Sequence, residues 1–440
     1  MLEEVIVNSL KKGLLLALVG TIILQPLGVF ADDLYGQEDS LKITREAGYD
    51  VDDIYHPKAD IIVDAYSGQI LYGDNIDLAR NPGSMTKLMS AYVVLQAIKA
   101  GKITYDTKIT ARAKDISIVN NQNVSNSPMI EGHSYKVIDL LRMMLIPSSS
   151  AATLLLADYL TQDDPDAWLD QMNEWSKKLG MTNTHWVNAA GAEAFVYNGD
   201  YSPKRYDNTA NNVTTARDLA ILGTHVVNDF PELLEVTKHA SLTILQGTDE
   251  EQVITNYNNS LEGGKFPLKG ADGLKTGSSP QADYNYMATV ERNGQRFVQL
   301  TMGVGTYDNE LAEDIRHLIG NALAEKMYAT YSYEKLASKG QVKIGQKTYE
   351  LDKDFYATVK KGTKPALVVK DGRLYADNGL EDLSPKIATG MAVKEVGSDQ
   401  GTPTLSGKKS NFKLDWSQAF VLLPVLILIV IFRRDDKKRR

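Results

Sequence analysis

"NPGSMTKLMS", residues 81–90, places a serine and a lysine three positions apart at what reads as the start of a helix. Asn81, Pro82 and Gly83 punctuate a turn, and an apolar run follows. Positions i and i+3 share a helix face, so Ser84 and Lys87 project together. Read structurally, Ser84 is a capping or first-turn hydroxyl and Lys87 a solvated charge. Read chemically, the pair is a hydroxyl and the amine that takes its proton. The pattern is short and common, so the rest of the chain decides between the two.

The chain has 440 residues, enough for two domains or more. Its formal charge of −8 argues against a nucleic-acid partner. It has no cysteine, which removes disulfides, thiolate nucleophiles and cysteine–zinc sites together. The two ends differ from the middle. Lys11 and Lys12 precede "GLLLALVGTIIL", and "VFA" ends at Ala31, which is the layout of an export signal over residues 1–31. Residues 416–432 are almost wholly apolar and span roughly 25 Å as a helix, a little short of the ~30 Å hydrocarbon layer. Arg433 and Arg434 can snorkel across the difference, and the basic tail 433–440 favours the cytoplasmic side. Pro424 does not forbid a span, and the absence of a polar face argues against a surface-lying helix. The two ends remove eight basic and four acidic residues from 48 and 56, leaving an acidic middle of net charge −12.

Within that middle, "ADIIVDAYSGQILYGDN" alternates around Ser67-Gly68 and predicts a β-hairpin. Ser84 to about Ala100 predicts a helix apolar all round, hence buried. Residues 113–135 are polar and Asn-rich and read as a long loop or small insertion. "SYKVIDLLRMML" and "AATLLLADYL" read as helices on either side of "IPSSS". "GLKTGSS" reads as a strand, and "YNYMATVERNGQRFVQLTMGV" as a hairpin turning at Asn293-Gly294. "AEDIRHLIGNALAEKMYATY" is a closing helix. From about Leu336 the texture becomes short alternating runs, an all-β module, and residues 398–415 read as a linker.

Other chemistries find no support. The six histidines show no metal spacing, no phosphate-cradling loop is present, and no G-x-S-x-G elbow appears. No cofactor or metal is implied. Ser84 and Lys87 instead gain weight from two further elements: "IPSSSAAT", with Ser148 and Ser150 before a helix, and "GLKTGSS", with Lys275, Thr276 and Gly277. Alone, the serines read as helix caps and Lys-Thr-Gly as a strand end. In the order S-x-x-K, serine turn, K-T-G, they resemble the penicillin-binding family of serine D-alanyl-D-alanine carboxypeptidases, low-molecular-weight class. The likeness covers most of residues 50–330, including the flanking phrases "VDAYSGQILYGDN" and "TARDLAIL".

The physics of the pair supports the chemical reading. A serine hydroxyl is a poor nucleophile until a base takes its proton, and a lysine serves only when neutral. Burial near another cation lowers its pKa, and Lys275 would be that cation. A helix N-terminus beside Ser84 favours the developing negative charge.

The resemblance implies the remaining roles. Ser148 would relay a proton to the leaving amine. Lys275 and Thr276 would hold the terminal carboxylate, and Gly277 would admit the substrate backbone. The N–H groups of Ser84 and Ser278 would form the oxyanion hole, each donor worth about 10²–10³ in rate. The implied partners are peptidoglycan stem peptides, β-lactams as covalent inhibitors, and a membrane through the C-terminal helix. One position departs from the family pattern. Ser150 stands where asparagine is usual, and losing one hydrogen bond to a charged group costs roughly 1.5–3 kcal/mol. Some relatives use an arginine downstream of K-T-G to help bind the carboxylate; Arg316 is the nearest candidate for it here, but its register does not identify it.

The expected fold is α+β, β-lactamase/transpeptidase-like: an antiparallel sheet with helices and an all-helical lobe over residues 40–332. A small all-β domain over 335–397 and a C-terminal membrane helix would follow. The expected activity is removal of the terminal D-Ala from stem pentapeptides through an acyl-enzyme outside the cell. A β-lactamase-like hydrolase is one rival, weakened by the lack of an E-x-x-L-N segment between the serine turn and K-T-G. A non-catalytic wall-binding homologue is another, weakened by the presence of Ser84, Lys87 and K-T-G together.

Overall fold

The computed structural model describes residues 38–396. The predicted export signal, linker, membrane helix and basic tail lie outside the described residues. Among the described residues no helix is long and apolar enough to cross a membrane.

The chain opens with helix α1 (Ser40–Glu46) and the hairpin β1 (Ala59–Asp64) and β2 (Gln69–Asp74). A 3₁₀ turn, Gly83–Met85, leads into α2 (Thr86–Lys99). Next come β3 (Lys108–Thr110), α3 (Ala113–Val119), β4 (Ser134–Lys136) and α4 (Val137–Leu145). Helices α5 (Ser150–Thr161), α6 (Pro165–Leu179) and α7 (Ala216–Asp229) follow, then β5 (Ser241–Ile244) and β6 (Gln252–Thr255). Strands β7 (Ala271–Ser279), β8 (Asp283–Arg292) and β9 (Gln295–Val304) lead to the long α8 (Leu311–Thr330).

Five strands form one antiparallel sheet in the order β2-β1-β9-β8-β7. Every residue of β1 and β9 is buried, because helices cover both faces. The packing is close on each side. A Cβ on Gly223 of α7 would stand 2.8 Å from Val298 Cγ1, and one on Gly320 of α8 would stand 2.5 Å from Tyr286 Cε1. The second lobe is helical. Its axis is α2, eleven of whose fourteen residues are buried among α4, α5, α6 and α7. That all-round burial is what its unbroken apolar sequence requires. The expected α+β arrangement of sheet and helical lobe is therefore present.

Local signals set the element ends. Asp164 caps α6 by accepting from Ala167 N at 3.0 Å, Pro165 stands in its first turn, and Gly180 ends it in the left-handed region. The polar stretch 113–135, read as a long loop or small insertion, begins with α3. Asp115 accepts from the Arg112 backbone N–H at 2.8 Å and so satisfies an otherwise open helix start.

The all-β module begins at β10 (Tyr331–Ala337), directly after α8, and continues with β11 (Gly340–Ile344), β12 (Lys347–Leu351) and β13 (Phe355–Lys360). Strands β14 (Ala366–Lys370), β15 (Arg373–Asp377) and β16 (Met391–Ala392) follow. Its core is small, centred on Tyr349, Leu351, Phe355, Ala357 and Leu374. Polar ties hold it to the first hairpin. Asp64 accepts from Gln295 at 3.1 Å and from Thr358, Gln69 and Asn378 exchange amide bonds, and Ile70 N donates to Glu381 O at 2.8 Å.

Candidate active site

Ser84 sits in the 3₁₀ turn and Lys87 one residue into α2, so the expected pairing is realised across the junction between the two. Lys87 Nζ donates to Ser84 Oγ at 3.1 Å and to the Ala190 carbonyl at 2.7 Å. Both partners are neutral, and among the described residues no carboxylate pairs with this amine. Burial lowers its pKa to about 7, so an appreciable fraction is the free base at neutral pH.

The turn is braced from several sides. Asn81 accepts from Gly83 N at 2.8 Å and donates to Asn211 at 2.8 Å. Thr86 Oγ1 donates to the Gly83 carbonyl at 2.7 Å. The segment carrying Ala190 is held by Asn212, whose amide oxygen accepts from Val187 N and Asn188 N and whose amide nitrogen reaches Thr86 Oγ1 at 3.0 Å. This segment presses on the Ser84 turn so closely that a Cβ on Gly191 would stand 2.1 Å from the Gly83 carbonyl oxygen.

Strand β7 brings Lys-Thr-Gly alongside. A Cβ on Gly277 would stand 2.3 Å from Pro82 O and 3.1 Å from Ser84 N, so only glycine lets the strand lie there. Lys275 is buried and donates to Thr276 O at 3.1 Å. Its pKa is pushed well below the usual lysine value, first by burial and then by the positive charges of Lys87 and Arg316. The sequence reading had Lys275 depress Lys87. In the structure burial alone accounts for the fall at Lys87, and the repulsion falls on Lys275.

Two residues that sequence reasoning did not choose complete this wall. Arg316 on α8 is fully buried, and its Nη1 donates to Ser278 Oγ at 2.8 Å and to the Asn285 carbonyl at 3.0 Å. Burial lowers its pKa to about 10, which still leaves a cation at neutral pH. Asn285 on β8, paired opposite Gly277, donates to the Asn81 carbonyl at 3.1 Å and accepts from Gly303 N at 2.8 Å. It thus couples the Ser84 turn to the sheet. Helix periodicity placed Arg316 on α8 but gave no sign of which strand residue it meets.

The serine turn resolves differently from its capping interpretation. Ser149, not Ser148 or Ser150, caps α5 by accepting from Ala152 N at 3.2 Å. Ser148 is buried at φ 66°, and its hydroxyl has no partner among the described residues. A non-glycine residue held in the left-handed region carries a strain of order 1–3 kcal/mol, which is found where a side chain must be aimed. Ser150 is buried as the first residue of α5, beside the Tyr197 phenol, whose pKa burial pushes up to about 12. Lys87's own hydrogen bonds go to Ser84 and Ala190 and not to Ser150. Among the described residues no cluster of His, Asp and Glu side chains could hold a metal ion.

The arrangement offers a hydroxyl beside a buried amine that is partly uncharged at neutral pH, a backbone N–H of the Ser84 turn against strand β7, and the Arg316 cation beside Lys275. That is equipment for acyl transfer on a substrate carrying a carboxylate. The sequence model of a peptidase family described as D-alanyl-D-alanine carboxypeptidase matches residues 48–306, and that of a domain of unknown function matches residues 333–394. The chain is similar to D-alanyl-D-alanine carboxypeptidase DacA of Escherichia coli, 26% identical over 337 residues, 72% of this chain and 75% of that protein. It is similar to DacD of the same organism, 32% identical over 254 residues, 56% of this chain and 58% of that protein. Among solved structures it resembles a peptidoglycan synthesis regulatory factor from Streptococcus pneumoniae, with a TM-score of 0.65 and 24% identity, covering 77% of this chain and 97% of that one. This last likeness concerns the fold.

Proposed function

We propose, from the premise that this chain belongs to the D-alanyl-D-alanine carboxypeptidase family, that Ser84 is the nucleophile and Lys87 the base of its reaction. The chain is a serine-type D-alanyl-D-alanine carboxypeptidase. The observation that carries the residue roles is the 3.1 Å contact between Ser84 Oγ and a buried amine with no carboxylate partner among the described residues.

In this reading Lys87 takes the Ser84 proton as Oγ bonds to the carbonyl carbon of the penultimate D-alanine. The oxyanion is met by the N–H groups of Ser84 and Ser278. The C–N bond breaks and the leaving amine takes a proton through Ser148, whose unpartnered hydroxyl is free to move it. The departing residue's carboxylate is held by Thr276 and Ser278 hydroxyls under the positive charge of Arg316 and Lys275. An arriving carboxylate opposes the downward shift of the Lys275 pKa and favours its charged form. Lys87, having passed that proton on, is again the free base; it takes a proton from the water that attacks the ester carbonyl, the C–O bond to Ser84 breaks, and Lys87 gives the proton to Ser84 Oγ. Ser150 belongs to the substrate side of the cleft, with a shorter reach than the amide usual there. β-Lactams offer the same acyl carbonyl and carboxylate and would acylate Ser84.

Peptidoglycan stem peptides are the proposed substrate. Export through residues 1–31, tethering through 416–432, and a division into catalytic and β domains belong to the same proposal; the first two rest on the sequence. The test is mass spectrometry of the penicillin-treated protein together with D-alanine release from a D-Ala-D-Ala peptide. An adduct on the peptide containing Ser84, absent in Ser84→Ala, supports the assignment, and an adduct elsewhere refutes it.

A further inference from the structure

We infer that the cavity between the β1–β2 turn and the C-terminal β module is a second binding site, which takes the amino-sugar glycan strand bearing the stem peptides. The choice of polymer rests on the proposed function.

The cavity is about 1050 Å³ and shares no residue with the Ser84 site. That lies at the upper end of the ~300–1,000 Å³ usual for small-molecule sites, room for more than one ring of an extended polymer. Its distinguishing feature is a row of three tyrosines drawn from both modules. Tyr66 and Tyr333 stand 6.1 Å apart, tilted by 49°, and Tyr333 and Tyr356 are stacked at 5.5 Å and 22°. The outer two, Tyr66 and Tyr356, are each 43% exposed. Single exposed aromatics are ordinary, but adjoining rings with both ends exposed on a cavity wall make a contact surface.

The polar groups around the row narrow the ligand. Lys339, Asp352 and Lys353 line the same cavity, and their side chains have no hydrogen-bond or ion-pair partner among the described residues. Donors and acceptors of both signs therefore face one space, which suits a neutral ligand rich in hydroxyl and amide groups. A pyranose ring has that chemistry. Its C–H faces lie flat on aromatic rings, which present an apolar face and a wet edge, and its substituents turn outward to polar partners.

The walls are fixed before any ligand arrives. The Asp64, Gln295 and Thr358 cluster and the Gln69–Asn378 pair tie the two modules on either side of the tyrosines. Little ordering cost then remains at binding.

The test titrates peptide-free glycan strands, prepared by amidase treatment of peptidoglycan, into the full chain and follows the heat of binding. Wild type should bind saturably. Tyr66→Ala and Tyr356→Ala should each weaken binding by roughly 3- to 10-fold, the scale of one aromatic contact, and Tyr356→Phe should retain it. All three should release D-alanine from a short soluble peptide at the wild-type rate, which also shows that they fold. Failure of wild type to bind the strands, or alanine variants that bind equally well, overturns the inference. Strand binding without D-alanine release would sink the proposed function and leave this site standing.

Discussion

Arg316 on α8 reaches across the sheet to place Nη1 2.8 Å from the hydroxyl of Ser278, the residue that follows Lys-Thr-Gly. The guanidinium is fully buried, and its other arm meets Glu313 at 2.9 Å. A cation buried next to a hydroxyl that can turn toward a ligand is the setting for carboxylate capture. Arg316→Gln should lower kcat/KM by roughly 10- to 150-fold, the value of a hydrogen bond to a charged group. The loss should appear mainly in KM. Steady-state kinetics on a peptide and on its C-terminal amide separates the outcomes. If both substrates lose equally, Arg316 is only a structural brace.

Lys87 must be uncharged to accept the Ser84 proton, and burial sets its pKa at about 7. The acylation rate by a penicillin should therefore rise with pH and level off above about 7. In a group at its normal pKa near 10.4 the rise would continue far into the alkaline range. Lys87→Met should reduce acylation by at least about 10²-fold, the lower end of general-base contributions. A pH profile of kobs by stopped-flow labelling checks this, and a profile flat from pH 5 to 9 would remove Lys87 as the base.

Ser150 is buried at the first position of α5, and Lys87 is held by Ala190 rather than by the serine turn. Lys87 is thus held without help from Ser150. Ser150→Asn should keep D-alanine release at or above the wild-type rate, up to about 10-fold higher if the amide gains one bond to the substrate. A large fall in kcat would show that the pocket beside Tyr197 is built for serine.

The residues that sequence reading found are those whose signal is local. The S-x-x-K spacing, the turn at Asn293-Gly294 and the all-apolar α2 each state their geometry within a few positions. What it did not find is long-range. The Ala190 carbonyl that holds Lys87 is a backbone group, and a backbone group leaves no trace in residue type. Asn285 and Arg316 are ordinary members of a strand and a helix until the sheet brings them to Asn81 and Ser278. Ser149 shows the same limit at short range. Three serines in a row offer three caps, and only the backbone decides that the middle one caps while Ser148 turns into the left-handed region. Helix α3 was missed because its Asn-rich surroundings outweigh one capping carboxylate, Asp115.

Asp60 on β1 is fully buried, and its oxygens accept no well-aligned hydrogen bond among the described residues. Burial raises its pKa to about 7, Asp74 pushes in the same direction, and the Thr301 and Ser40 hydroxyls relieve it in part. The folded state thus holds a proton here that the unfolded chain gives up near pH 4. Below that pH both states are protonated and the group costs little. As pH rises from about 4 to about 7, unfolding releases the proton and stability falls, by at most about 4 kcal/mol for a shift of this size. Above about 7 the carboxylate is charged in both states and the loss is complete. Asp60→Asn keeps the shape and removes the titration, so its stability relative to wild type should grow across that interval and then level off. Urea unfolding of both proteins at intervals from pH 4.5 to 8 measures the difference, in which the other carboxylates largely cancel. A difference that stays constant over the whole range would mean that Asp60 ionises at its ordinary pKa in the folded protein.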